Sequence, residues 1–276
     1  PDNAPAVDAD GQPLRFAEEL RVLWKLSLAL CAERERFRGK PEPRFRADFS
    51  FYLDPDGDGD EPRVRIVPRR RDSPLDRIVA EMAILANSEW GGLLGEHDVP
   101  GIYRSQQNGR VRVTSHPLPH QGLGVSQYMW SSSPLRRYVD LVNQRQLIAV
   151  LAGDKPPFGQ NDADLFSVMS AFDAKYTAYA DFQQRMERYW CLRWVAQQGL
   201  TRVDAVVVRD DLVRLVDAPL YFRLPGMPML AAGRRFKADI LATDDLDLSV
   251  EARFVEAEAA GSLFDEADDE PAVGSL

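Results

Sequence analysis

Hydrophobic and polar residues alternate with a helical period in four long segments of this chain. Apolar side chains recur every three or four residues over positions 14–38, 75–94, 133–151 and 162–198, a spacing that places them on one face of a helix. Glycine follows three of these segments, at Gly39, Gly95 and Gly199, where helices commonly end. The pattern therefore predicts four helices.

Shorter alternating segments predict strands. Residues 45–53 and 63–67 flank an acidic turn sequence, which indicates a hairpin. Five β-rich runs follow Gly199, separated by Asp-Asp, Pro-Gly and Gly-Arg turns, at 201–209, 212–216, 220–224, 234–242 and 246–254. Five strands of this length suit a small OB-type barrel, a fold that commonly binds single-stranded nucleic acid. Residues 100–118 are predicted to be irregular.

These elements predict an α+β fold with two structured parts, residues 14–198 and 199–256. Residues 1–13 are small, polar and acidic, so we expect a flexible segment there. Residues 257–276 are acidic with few large apolar side chains, and we expect a disordered tail. In the barrel, the candidates for base stacking are Tyr221, Phe222 and Phe236, for which packing in the core is the commoner role.

Composition narrows the class of protein only slightly. The net charge is −9, but arginines cluster at 63–71 and again at 104–112 and 136–137, so local RNA binding is compatible with the charge distribution. The two cysteines lie in apolar helical patterns and predict neither a disulfide framework nor a metal cluster. With no long apolar run and no signal peptide, we expect a cytoplasmic protein without a membrane partner.

The segment around Ser133 carries the clearest chemistry. Serine followed by proline is typical of a helix start, with Ser133 as the cap and Pro134 in the first position. Arg136 and Arg137 would then lie in the first turn, where the helix dipole disfavours cations unless an anion binds. The pattern predicts a phosphate site; the alternative is a surface helix whose two arginines merely pair with Asp140.

The same segment resembles the C-terminal motif of the RNB catalytic domain of the ribonuclease II and ribonuclease R family. That motif reads Gly-Leu-Gly, a tyrosine, Thr-Ser-Pro-Ile-Arg-Arg-Tyr, then Asp-Leu and an arginine; here Ser132 and Leu135 replace the threonine and isoleucine. Residues 77–87 resemble a family helix, with Glu81 at its second glutamate. Residues 102–104 resemble its Leu-Tyr-Arg segment, although Gln106 stands where a histidine is expected.

The resemblance implies a fold, an activity and a set of site residues. The fold is the C-terminal half of an RNB-type domain, with helices packed on a sheet, followed by the OB-like barrel. The activity is that of the C-terminal portion of a processive 3′-to-5′ exoribonuclease, which hydrolyses single-stranded RNA to nucleoside 5′-monophosphates. Arg136 is the implied catalytic residue, and the implied substrate-binding residues are Arg137, Glu81, Ser133, Tyr138, Tyr103 and Arg104. His116 and His120 either touch RNA or are exposed turn residues.

The family's magnesium site is not reproduced here. Family members hold Mg²⁺ with a spaced aspartate cluster, and Asp2, Asp8 and Asp10 do not match its spacing. We therefore expect no metal ligand in this chain, Mg²⁺ ligands upstream of it, and no activity of the chain alone. A start at proline favours a fragment or processed product, with the missing N-terminal half as a partner. The alternatives are a non-catalytic RNA-binding or regulatory module and an unrelated helical interaction protein.

Overall fold

A computed structural model describes residues 15–42, 48–55, 62–69 and 73–257. The expected flexible segment at 1–13, the tail after Ala257 and the start of the first predicted strand lie outside these residues. The described residues form two compact units. Unit 1 holds residues 15–42 and 73–177, and unit 2 holds residues 48–55, 62–69 and 178–257.

The described residues contain four helices and nine strands. The helices are α1 (Ala17–Arg38), α2 (Pro74–Glu96), α3 (Tyr138–Ala152) and α4 (Ala163–Gln197). The strands are β1 (Asp48–Asp54), β2 (Arg63–Arg69), β3 (Tyr103–Gln107), β4 (Arg110–Thr114), β5 (Arg202–Arg209), β6 (Leu212–Leu215), β7 (Tyr221–Arg223), β8 (Arg235–Asp244) and β9 (Ser249–Ala257). The predicted α+β class is confirmed.

Unit 1 is built on its helices. The Ser73 hydroxyl caps α2 by accepting the N–H of Asp76 at 3.1 Å, and proline occupies the first position of that helix. One buried cluster of the unit joins the start of α3 to the first turns of α4. A second joins the end of α2 to β3 and α3 through Leu94, Tyr103, Met129 and Leu147.

An antiparallel hairpin of β3 and β4 replaces the irregular region predicted at 100–118. Asn108 and Gly109 form its turn with φ of 51° and 77°, and two positive φ angles are what a tight two-residue hairpin turn requires. An Asn-Gly pair between alternating residues is a strong hairpin signal, and the sequence prediction missed it.

Unit 2 is a five-stranded antiparallel sheet with strand order β7-β6-β5-β8-β9. Register shifts interrupt the β5–β6 and β8–β9 pairings. Its buried face packs against Cys191, Leu192 and Val195 of α4, and this arrangement is consistent with the predicted OB-like fold. Phe222 and Phe236 belong to this core, whereas the Tyr221 side chain is exposed. Core packing is therefore confirmed for two of the three proposed base stackers.

The β1–β2 hairpin also belongs to unit 2, whereas the sequence prediction placed it with the helices of residues 14–198. Its apolar side chains Phe51 and Ile66 pack against the core of the sheet. Gln197, at the end of α4, accepts the N–H of Val64 at 2.9 Å and donates to the Pro62 carbonyl at 3.1 Å. The hairpin joins this unit because the sheet covers its apolar face.

A membrane-spanning helix is not found in the part of the chain that the structure describes.

Gly124 marks a close approach between α1 and the loop before α3. Its φ is +71°, and a Cβ there would lie 2.2 Å from the carbonyl oxygen of Arg34. We expect Gly124→Ala to lower the unfolding free energy by clearly more than the ~1–2 kcal/mol that a left-handed φ alone costs an alanine. Gly153→Ala is the control, because it has the same φ with nothing within 4 Å. Urea denaturation of both variants measures the difference, and equal losses would contradict a backbone clash.

Candidate functional site

The two arginines of the predicted phosphate site precede a helix rather than lying in its first turn. α3 begins at Tyr138 with Arg137 as its N-cap, and no side chain caps it. The Ser133 carbonyl accepts the N–H groups of Arg136 and Arg137 at 3.2 and 3.1 Å, so residues 133–136 form a turn. The prediction that Ser133 caps a helix starting at Pro134 is therefore wrong.

The Asp140 carboxylate holds this turn in shape. It is fully buried and accepts the Ser133 N–H at 2.8 Å, as well as Nε and Nη2 of Arg137, both at 2.7 Å. The predicted alternative, pairing with Asp140, is thus confirmed for Arg137. Arg136 is exposed and makes no ion pair with any described residue. Its guanidinium remains available to an anion.

Arg137 and Arg104 both lie against the ring of Trp130. Their guanidinium carbons are 4.3 and 4.5 Å from its centroid, and Arg104 is also 5.3 Å from the ring centroid of Tyr176. Distances of this kind allow cation–π attraction. We call Arg104, Trp130, Arg137 and Tyr176 the Trp130 cluster. Two of the predicted substrate-binding residues, Arg104 and Arg137, therefore lie together.

Two buried asparagines fix the backbone of this region, and sequence reasoning assigned a role to neither. Asn143 accepts the N–H of Ile102 at 2.7 Å and donates to the carbonyls of Ile102 and Trp130 at 3.0 and 2.8 Å. Asn87 accepts the N–H of Ser131 at 3.0 Å and donates to the Ser132 hydroxyl at 3.2 Å. The available signal was a polar residue inside an apolar helical pattern, since buried amides require partners.

Ser133 and Tyr138 flank the exposed arginine in sequence. Ser133 is half-buried, and the Tyr138 side chain is exposed in the first position of α3. Both lie at the turn that carries Arg136, so their assignment as substrate-binding residues stays a prediction.

Tyr103 is a core residue, which corrects its assignment as a substrate contact. Only 1% of it is exposed, and its hydroxyl donates to the Gly91 carbonyl at 2.9 Å. Burial raises the pKa of this phenol, so the ring stays neutral. A side chain in this position supports the β3 backbone and cannot reach a ligand.

Glu81 is an ion-pair partner rather than a channel-facing group, which corrects a second assignment. It is buried, and its carboxylate accepts two hydrogen bonds from Arg34, one of them from Nε at 3.0 Å. Arg34 also donates to the Leu123 carbonyl at 2.6 Å and to Glu42 at 3.2 Å. Burial opposes the charge of Arg34, but these carboxylates outweigh it and raise the pKa of the guanidinium.

The described residues provide no set that fits Mg²⁺. The group with suitable spacing is Cys31, Glu42 and Glu81, but the guanidinium of Arg34 already binds both carboxylates. Burial and the neighbouring carboxylates raise the pKa of the Cys31 thiol. Magnesium prefers oxygen ligands, so a protonated thiol beside neutralised carboxylates is a poor site for it.

His120 is buried, whereas His116 is exposed. The His120 Nδ1 accepts the N–H of Leu123 at 3.2 Å, which closes the turn before Gly124. Burial and the charge of Arg104 lower the pKa of His120 to about 4, so the ring is neutral at pH 7. The prediction of an exposed turn histidine holds for His116 only.

Comparison with known proteins agrees with this geometry. The RNB domain family matches residues 108–153, which contain the turn, α3 and the Trp130 cluster except Arg104 and Tyr176. An uncharacterized ribonuclease of Synechocystis sp. is 30% identical over 208 residues, covering 63% of this chain and 29% of that protein. Both matches point to the ribonuclease II and ribonuclease R family, which this chain resembles.

Other ribonucleases match this chain over part of their length. The mitochondrial exoribonuclease II of Saccharomyces cerevisiae is 24% identical over 175 residues, covering 50% of this chain and 18% of that protein. The chain thus spans less than a third of the length of these two relatives.

Solved structures show the same fold. A structure of the Dss1 exoribonuclease from Candida glabrata superposes with a TM-score of 0.71 at 18% identity, covering 91% of this chain and 37% of that one. Mycoplasma genitalium RNase R in complex with ribose-methylated single-stranded RNA has a TM-score of 0.64 at 12% identity, with coverage of 86% and 49%.

The buried position of Glu81 generates a prediction that separates a structural role from RNA contact. We expect Glu81→Gln to lower the unfolding free energy by about 2–4 kcal/mol, because it leaves Arg34 a buried cation with one fewer carboxylate. Glu89→Gln, at an exposed position of the same helix, should change it by less than about 0.5 kcal/mol. Denaturant titration tests both variants. If Glu81→Gln left the stability unchanged and weakened RNA binding, Glu81 would instead be a residue that contacts RNA.

His120 predicts a pH dependence of stability. Below its ordinary value near 6.5 an unfolded histidine takes up a proton, whereas folded His120 does so only near pH 4. Stability therefore falls as the pH falls through this window. We expect His120→Gln to flatten the slope of the melting temperature between pH 6.5 and 4, whereas His116→Gln leaves it unchanged. A slope that persists in the His120 variant would argue against a neutral ring.

Proposed function

We propose that this chain is the RNA-holding, C-terminal part of a processive 3′-to-5′ exoribonuclease that hydrolyses single-stranded RNA to nucleoside 5′-monophosphates. The observation that carries the proposal is the turn at Ser133. It uses the buried Asp140 carboxylate to fix Arg137 and leaves Arg136 exposed.

Arg136 is suited to a phosphodiester. A guanidinium presents planar donors that match phosphate oxygens. The Asp140 carboxylate already binds Arg137 and the Ser133 N–H, so it cannot also neutralise Arg136. The turn that carries Arg136 is tied to the buried start of α3, so the cation is presented from a fixed backbone. Such a pre-positioned charge stabilises a phosphate most as negative charge develops in the transition state.

The Trp130 cluster supports an anionic partner at the same place. Arg104 and Arg137 share one aromatic ring, and the Asp140 carboxylate pairs with Arg137. Two cations this close repel each other unless an anion is near. A phosphate of the RNA backbone is the anion that we propose.

The comparisons support RNA as this partner. The neighbouring RNase R structures are complexes with single-stranded and with double-stranded RNA, and the sheet of unit 2 resembles a fold that binds single strands. Magnesium belongs to the proposal, and when bound it supplies an activated water and stabilises the leaving oxygen. The described residues do not fit it, so we propose that its carboxylates come from the preceding part of the enzyme.

A second candidate function is a non-catalytic RNA-binding or regulatory module. The observation that favours it is that Arg34 neutralises the carboxylates of Glu42 and Glu81, so these two groups are not available to hold a metal ion. Such a module keeps the arginines and loses hydrolysis.

Arg136 provides the test of RNA binding. We expect Arg136→Ala to weaken binding of a fluorescein-labelled single-stranded RNA about tenfold at low salt, and to reduce the slope of log affinity against log salt by about 0.7 for one lost phosphate contact. Fluorescence anisotropy of the 276-residue chain measures both quantities. Lys155→Ala removes an exposed cation beyond the opposite end of α3 and should change neither. Equal effects of the two substitutions would refute a specific phosphate contact.

The complete enzyme separates the two candidate functions. In it, Arg136→Ala should lower kcat by orders of magnitude and weaken RNA binding far less, because the contact strengthens in the transition state. A complete protein that binds RNA and leaves it intact with Mg²⁺ present would establish the non-catalytic module.

A further inference from the structure

A cleft in unit 1 opens between the β3–β4 hairpin and α4, beside the Trp130 cluster. Its volume is about 180 Å³, below the ~300 Å³ at which pockets for drug-sized molecules begin. Its floor is apolar and includes Ile102 and Val139, which belong to the buried core. A cleft of this size admits one ring system rather than a large ligand.

The walls of the cleft are aromatic. Phe172 and Tyr176 stack at a centroid distance of 5.6 Å, and Trp130 lies 5.9 and 5.5 Å from their centroids, respectively. All three side chains are only half-buried. Aromatic walls of this kind favour another planar ring, and every nucleobase offers one.

The rim of the cleft is charged, with a positive excess. Arg104 and Arg112 line it together with Asp173, and Arg112 and Asp173 are exposed. Purely apolar ligands would leave this rim without partners, and an inorganic anion would leave the aromatic walls unused. The combination therefore fits a planar ring attached to a phosphate.

Trp130, which lines the cleft, links it to the Arg136 turn. Arg137 contacts the Trp130 ring at 4.3 Å and follows Arg136 in the chain. Asn143, fully buried, ties the backbones of Ile102 and Trp130 to α3. The aromatic wall and the phosphate-binding turn thus share one support, so their spacing is fixed before a ligand arrives.

We propose that this cleft binds one nucleobase of the RNA strand against the side chains of Phe172 and Tyr176, while Arg136 contacts a phosphate of the same strand. The proposal rests on the proposed function, because it names where the base of the held RNA lies. It assigns base contact to the residues at 172–177 of α4, which the motif around Ser133 does not include.

The test compares adenosine 5′-monophosphate with ribose 5-phosphate, which carries the same phosphate and sugar without a base. Calorimetric titration of the 276-residue chain should show at least tenfold tighter binding of the nucleotide. Tyr176→Ala should remove most of this preference and leave ribose 5-phosphate binding unchanged. Tyr179→Ala, at a position 66% exposed on the same helix, is the matched control and should retain the preference.

A second variant guards against loss of folding in the first. Thr177→Trp adds a large side chain at an exposed position of the cleft, and it should also lower nucleotide binding without affecting ribose 5-phosphate. Equal affinity for the two ligands in the unsubstituted chain would overturn the proposal, as would equal losses for both ligands in the variants.

Failure of this proposal is distinguishable from failure of the proposed function. Arg136-dependent RNA binding without a preference for the nucleotide would overturn the base cleft alone. The proposed function alone would be overturned if the preference for the nucleotide depends on Tyr176 but RNA binding is unchanged by Arg136→Ala.

Discussion

One buried carboxylate organises the region on which function depends. Asp140 lies in the first turn of α3, where a negative charge complements the helix dipole, and it accepts hydrogen bonds from the Ser133 backbone and the Arg137 fork. A buried charge is tolerated only when it is paired and fully hydrogen-bonded. The turn cannot leave this geometry without leaving the buried carboxylate unpaired, so the backbone position of Arg136 follows from that requirement.

Buried neutral side chains of unit 1 hold the backbone in the same way as Asp140. Asn87, Asn143 and Gln146 are buried, and each bonds to the backbone of segments that lie between helices. Apolar packing alone would let such loops shift, because it has no direction, whereas amide hydrogen bonds fix distance and angle. These amide hydrogen bonds therefore hold the backbone at Ile102, Trp130, Ser131 and Phe158 in place.

Sequence reasoning predicted the elements better than the site. The four helices and five barrel strands follow from the period at which apolar residues recur along the chain. That period is clear because one face of each element is much more buried than the other. The start of α3 was misplaced because Ser133-Pro134 suits both a cap and a turn, and the deciding group, Asp140, acts from seven residues away. Glu81 and Tyr103 were misassigned for a related reason: partners such as Arg34 and Gly91 come from distant positions, which local spacing does not reveal.

The chain path of unit 2 has a consequence for how the molecule folds. The β1–β2 hairpin precedes α2 in sequence, yet it covers a sheet whose strands come after residue 200. During synthesis the hairpin is made long before the sheet against which it packs. Its apolar side chains therefore stay uncovered until the last strands have been synthesised. Contacts of such long sequence separation slow folding and give intermediates that expose apolar surface and are prone to aggregation. A cut after α4 would likewise separate the sheet from the hairpin that covers it, so no single break in the chain divides it into the two units.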